Sequence, residues 1–154
     1  MQKITTFLWF DHEAEEAANF YVSIFKNSKV LDVNRFRGPD AQERVTVVKF
    51  ELDGQQFIAL NGGPHFKFTE AISLYVDCAT QHEVDDLWNK LTAGGQESQC
   101  GWLKDRYGLS WQIVPNVLTE LLADPDPRRS QRVMQAMLQM KKIDIETLKR
   151  AHTG

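Results

Sequence analysis

The sequence predicts an α+β fold of paired βαβββ modules forming curved mixed sheets, with a C-terminal helical extension. Three observations predict it. The chain carries a faint copy of itself: Leu8-Trp9-Phe10-Asp11 is followed by Phe20-Tyr21 and Ile24-Phe25, and Leu74-Tyr75-Val76-Asp77 by Leu87-Trp88 and Leu91. The offset is nearly constant, 66 positions from Leu8 to Leu74 and 67 from Phe20 to Leu87. A supersecondary unit repeated at a fixed period is a fold-level signal. After Pro115-Asn116 the patterning changes from strand-like to helical. The expected organisation is one domain over residues 1–122, with modules at about 1–63 and 70–115, followed by helices over 123–154.

The elements follow in order. Ile4 to Phe10 is β-branched and aromatic, hence a strand. Asp11 is positioned to cap a helix over about 13–26, with Glu13, Glu15 and Glu16 favouring its positive end. Ala14, Ala17, Ala18, Tyr21, Ile24 and Phe25 form its apolar stripe. Val30 to Phe36 and Val45 to Leu52 read as strands, and Asp53-Gly54 as a hairpin turn into Phe57 to Leu60. Asn61-Gly62-Gly63-Pro64 breaks the chain.

In the second half, Ala71 to Val76 is a strand, and Thr80 caps a helix over about 81–92 that Gly94-Gly95 ends. Strands at about 97–104 and 109–115 follow, which leaves this half looking one strand short. Residues 117–122 read as a short helix. Asp126-Pro127 opens a helix to about 141, and Asp144 caps a last one. The tail methionines, Met134, Met137 and Met140, suit a partner groove, because Met adapts to irregular surfaces; the plainer reading is packing against the chain's own sheet or a twin subunit.

Composition narrows the function. Of 154 residues, 42% are hydrophobic, enough for a packed core. The net charge of −3, from 18 basic and 21 acidic residues, gives no electrostatic case for nucleic acid. No apolar run approaches the ~20 residues of a membrane span, and the start lacks the pattern of a secretory leader. Cys78 and Cys100 have neither metal-pair nor disulfide-framework spacing, so a cytoplasmic setting is expected.

Several stretches carry a family resemblance: Phe20-Tyr21, Ile58 to Pro64, Phe66-Lys67-Phe68 and above all Cys100-Gly101-Trp102-Leu103-Lys104-Asp105-Arg106-Tyr107-Gly108-Leu109-Ser110-Trp111-Gln112-Ile113-Val114-Pro115. With them the chain resembles the vicinal oxygen chelate superfamily of glyoxalases, bleomycin-resistance proteins and dioxygenases, in its PhnB-like branch. Val133-Met134-Gln135-Ala136-Met137 resembles one subgroup of that branch. Proteins of this branch are often labelled demethylubiquinone methyltransferases. The chain shows no glycine-rich strand-turn-helix of the kind that cradles S-adenosylmethionine. The resemblance implies a homodimer. It also places the superfamily's metal ligands at Thr5 or Thr6, Ala59, Ala71 and Gln112, of which only Gln112 has a side chain of the usual kind. No metal site and no cofactor are therefore expected.

Candidate ligand-binding residues are Asn61, Trp9, Phe66, Trp102, Lys104 and Gln112. Asn61 ends a strand beside two glycines that admit a ligand to the backbone, although Asn-Gly is equally an ordinary turn. The aromatic residues suit a small-molecule cleft and equally a core. Trp111 and Gln112 alternate, so if Gln112 faces the cleft Trp111 is core. Cys100 shares strand parity with Trp102 and Lys104, and a cation favours a thiolate, which makes it a weak catalytic candidate. No histidine base is placed beside it, and small buried cysteines are common. Two functions from different classes follow: sequestering or carrying a small molecule in an aromatic cleft without a standard metal, or catalysing a lyase, isomerase or transferase reaction on a small polar metabolite.

Overall fold

The computed structural model describes residues 2–40 and 44–154. The chain divides into two compact units, Met1–Phe68 and Thr69–Gly154. The first contains β1 (Thr6–Phe10), α1 (Ala14–Ile24), β2 (Lys29–Arg37), β3 (Arg44–Leu52) and β4 (Gln55–Asn61). Its sheet order is β1-β4-β3-β2. The pair β1/β4 is parallel and the others antiparallel. Leu8, Phe10, Val48, Phe50, Phe57 and Ala59 are buried on one face of the sheet, with Ala14, Ala17, Ala18 and Tyr21 of α1. The small alanines let the helix lie close to the sheet. Phe50 and Phe57 stack at 5.4 Å between ring centroids, and each such buried large side chain contributes about 1.5–3 kcal/mol. The β3–β4 hairpin turns on Asp53 and Gly54, with φ of 48° and 80°, which is the geometry of a type I′ turn.

The second unit repeats the order: β5 (Ser73–Cys78), α2 (Gln81–Thr92), β6 (Gln96–Glu97), β7 (Trp102–Lys104) and β8 (Ser110–Pro115), in a sheet ordered β5-β8-β7-β6. The duplication is therefore complete. The strand that looked missing is β6, shortened to two residues. Thr80 caps α2 by accepting the Glu83 N–H, while Glu83 reaches back to the Ala79 N–H, a near capping box. Val84, Leu87, Trp88 and Leu91 of α2 are buried, as are Leu103, Trp111 and Ile113 of the sheet.

Three helices complete this unit: α3 (Asn116–Leu122), α4 (Pro127–Leu138) and α5 (Ile145–Thr153). They share one core, Val114, Leu118, Val133, Ile143 and Leu148, with Met137 and Met140 packed against it. Gln81 ties the tail to α2 twice: its amide donates to the Ile143 carbonyl, and its Oε1 accepts the Ile145 N–H at 2.7 Å. Arg132, from the basic run Arg128 to Arg132, donates to the carbonyls of Ala151 and His152 and so fixes α5 against α4. No helix among the described residues is long and apolar enough to cross a membrane.

Candidate functional site: the open face of the second sheet

The two faces of the second sheet are sorted by register. Leu74, Trp111 and Leu103 lie in one row and Val76 and Ile113 in another, on the α2 side. The alternate residues Ser73, Tyr75, Trp102, Lys104, Ser110 and Gln112 share the opposite, open face. Trp111 is core and Gln112 is open, as alternation requires.

The turn between β7 and β8 is organised by Asp105, which is only 2% exposed. Its Oδ1 accepts the N–H groups of Tyr107 and Leu109, and its Oδ2 accepts the Trp111 indole N–H at 2.9 Å. The run Lys104-Asp105-Arg106 is therefore no simple exposed charge patch. Asp105 faces inward and holds the hairpin in the register that places Lys104 opposite Ser110 and Trp102 opposite Gln112.

A pocket of about 320 Å³ opens on this face, lined among others by Glu70, Gln96, Ser98, Trp102, Lys104 and Ser110. Lys104 forms an ion pair with Glu70. The hydrogen bond from Lys104, and then its charge, hold the Glu70 carboxyl below the usual carboxylate range. Ser110 is 1% exposed, and its hydroxyl has no hydrogen-bond partner. Buried hydroxyls are normally satisfied, and leaving one unmade costs about 1–3 kcal/mol. Beside the pocket, the Gln112 amide donates to the Ser73 hydroxyl at 2.9 Å.

Trp102, Lys104 and Gln112 share one face of this sheet. Ser110, Ser73 and Glu70 were not singled out, although the parity of Ser110 with Gln112 was the available signal. Cys100 departs from its expected place. Residues 98–101 leave the strand, and Cys100 sits in a tight turn at φ 58°. Its N–H donates to the Met140 carbonyl, and that of Gly101 to Lys141. The parity that linked Cys100 to Lys104 does not survive this excursion. Cys78 is buried on the α2 side, and burial, with Glu83 adding, pushes its thiol up to about 12.

Asn61, Trp9 and Phe66 belong to the first unit and there tie the chain leaving β4. Asn61 pairs with Phe10 on the α1 side of the sheet, where its Oδ1 accepts the Ala14 N–H at 2.7 Å. It caps α1, a role expected of Asp11; Glu13, at the N-cap position, makes no side-chain cap bond. The Trp9 indole donates to the Gly63 carbonyl, and its ring meets Phe66 edge-on at 4.9 Å. A Cβ on Gly62 would lie 2.3 Å from the Trp9 ring, so only glycine fits there.

The carried-over metal positions also shift. Ala59 is fully buried on the α1 side, and Ala71 precedes β5, so the open-face positions are Ile58 and Leu60 on β4 and Ser73 and Tyr75 on β5. On β8 the corresponding positions are Ser110 and Gln112, and of the four second-sheet residues only Gln112 has a side chain of the kind the superfamily's ligand set uses; none is a histidine, carboxylate or cysteine. Asp11, His12 and Glu13 do group their ligand atoms within 4.8 Å, at the exposed start of α1.

The 3-demethylubiquinone-9 3-methyltransferase family model matches residues 2–114. A PhnB protein from Bacillus cereus is 40% identical, superposes with a TM-score of 0.68, and aligns over 74% of this chain and 99% of its own. This chain belongs to that PhnB-like family. Family and fold place it in the vicinal oxygen chelate superfamily. The fold is shared with protein PA1353 from Pseudomonas aeruginosa, at 16% identity and TM-score 0.64 over 75% of this chain and 98% of that one. It is also shared with a fosfomycin resistance protein from Listeria monocytogenes solved with Mn(II) and a dihydroxypropylphosphonic acid, at 15% identity and TM-score 0.53 over 72% and 90%. No curated protein matches the chain. The family match ends at residue 114, before α3, so the helices that complete the second unit's core lie beyond it.

Proposed function

We propose that this PhnB-like protein binds a small polar molecule with a flat apolar part on the open face of its second sheet, and sequesters or carries it without a standard metal site. The observation that carries this reading is the unpartnered Ser110 hydroxyl, buried against a pocket that Trp102 and Lys104 also line. A ligand atom bonded to that hydroxyl removes a standing cost, and the indole supplies a flat apolar wall. Gln112, fixed by Ser73, adds a polar edge beside it.

A second reading is favoured by the family's description as a 3-demethylubiquinone-9 3-methyltransferase. In it the same pocket holds the acceptor of a transferase. The two readings separate on a single assay: methyl transfer from S-adenosylmethionine to a demethylated quinone, abolished by Ser110→Ala, would establish the transferase.

A homodimer is part of the proposal. Phe7 and Phe36, each 54% exposed, lie with Trp9 on the open face of the first sheet, and apolar surface of this kind suits burial against a second copy. Sedimentation analysis reads the mass directly, and a monomer at micromolar concentration contradicts it.

Binding is tested by a thermal-shift panel of metabolites and aromatic antibiotics. A compound that raises the melting temperature binds the native state preferentially. Trp102→Ala and Ser110→Ala remove that rise while the proteins stay folded; an unchanged rise in both removes the ligand from this face.

A further inference from the structure

The pocket already holds a carboxylate, and it belongs to the protein. Glu70 stands before β5, its side chain 61% exposed, and reaches the Lys104 ammonium. Lys104 stands across the ladder from Ser110, whose hydroxyl is unpartnered. Trp102 lies two residues along the same strand on the same face, about 6.6–6.8 Å away. One cation and one hydroxyl are thus adjacent, with an indole face one step beyond. A carboxylate fits the first pair, because it accepts from both an ammonium and an O–H. A single flat ring attached to it reaches the indole.

We propose that Glu70 is an internal stand-in for a ligand carboxylate, and that the pocket takes small aromatic monocarboxylates by exchanging the Lys104–Glu70 pair for a Lys104–ligand pair. This rests on the binding reading given above and adds the class of ligand to it. The exchange is feasible because an ion pair this exposed contributes little and is readily opened. What the incoming carboxylate gains over Glu70 is the bond to Ser110, together with its ring against Trp102.

The test uses benzoate and its uncharged counterpart benzamide as probes, at fixed ionic strength, followed by amide and indole NMR shifts of the full chain. Benzoate perturbs Ser110 and the Trp102 indole in the wild type. Glu70→Gln, an exposed change, removes the competitor and tightens benzoate about three- to five-fold, the scale of an exposed pair; benzamide is unaffected. Lys104→Gln abolishes the benzoate response. Benzoate binding at Ser110 with equal affinity in wild type and Glu70→Gln overturns the stand-in while leaving a ligand on this face. Absence of any benzoate response at Ser110 in all three proteins overturns the monocarboxylate assignment. Failure of the binding reading itself shows separately, as a thermal-shift panel indifferent to Ser110→Ala.

Discussion

Lys104 and Ser110 stand opposite each other across the β7–β8 ladder, the lysine paired with Glu70 and the serine hydroxyl unpaired. Removing the hydroxyl should separate stability from binding. Ser110→Ala is expected to leave the unfolding free energy unchanged or raise it by up to about 1 kcal/mol, since an unsatisfied buried group is lost. The same variant loses ligand-induced stabilisation. Differential scanning calorimetry with and without ligand checks both; a Ser110→Ala protein that is destabilised by more than about 1 kcal/mol would show a bond the geometry lacks.

Asp105 behaves in the opposite way. Its carboxylate satisfies two backbone N–H groups and the Trp111 indole. Asp105→Ala strands all three donors in a buried turn and is expected to cost about 3 kcal/mol. In a chain of this size that is a fall of about 6–12 °C. Urea unfolding measures it. Because Asp105 sets the β7–β8 register, any surviving folded fraction should also bind ligand poorly.

Asn61→Ala should act on stability alone. Loss of the cap on the Ala14 N–H is expected to cost about 1 kcal/mol. Ligand binding on the second sheet should be unaltered, measured as an unchanged dissociation constant. A large loss of affinity would return Asn61 to the binding residues.

Cys100 is held at φ 58°, a region that disfavours side chains by about 1–2 kcal/mol. Cys100→Gly is expected to stabilise the protein by about 0.5–1 kcal/mol after the entropy of the unfolded glycine is counted. Cys100→Ser should leave any activity intact. Cys78, its thiol pushed up to about 12, should resist alkylation by iodoacetamide at pH 8 until the protein unfolds.

The α3–α4 connection gives a pH dependence. Asp124 accepts the Asp126 N–H and lies 2.7 Å from the His152 ring. The Asp126 bond first, and His152 second, hold its carboxyl below the usual range. A carboxyl lowered in the fold binds protons more readily when unfolded. Its contribution is therefore complete above the ordinary Asp value of about 4 and is lost as pH falls through the folded value. Asp124→Asn should flatten the decline of the urea midpoint between about pH 5 and pH 3, and an unchanged slope would contradict the pairing.

The duplication was legible because strand alternation and helix stripes are local signals. Leu8 and Leu74, the matched pair in the sequence, both fall on the helix side of their sheets. The hairpin at Asp53-Gly54, the caps at Thr80, Asp126 and Asp144, and the opposed faces of Trp111 and Gln112 were readable for the same reason. Asn61 was not, because it caps a helix 47 residues earlier in the chain, and no local pattern announces a long-range cap. Cys100 misled because counting it in step with Trp102 and Lys104 assumes one continuous strand, whereas the backbone leaves the strand at 98–101, with a cysteine where glycine is usual. Ser110 reads as any strand serine; its lack of a partner exists only in three dimensions.

The most direct measurement is an amide and indole NMR map of the protein titrated with the compound giving the largest thermal shift. Binding on the second sheet predicts the largest changes at Ser110, Lys104, Gln112 and the Trp102 indole. Changes confined to Trp9, Phe66 and Asn61, with Ser110 and Trp102 unmoved, would contradict it.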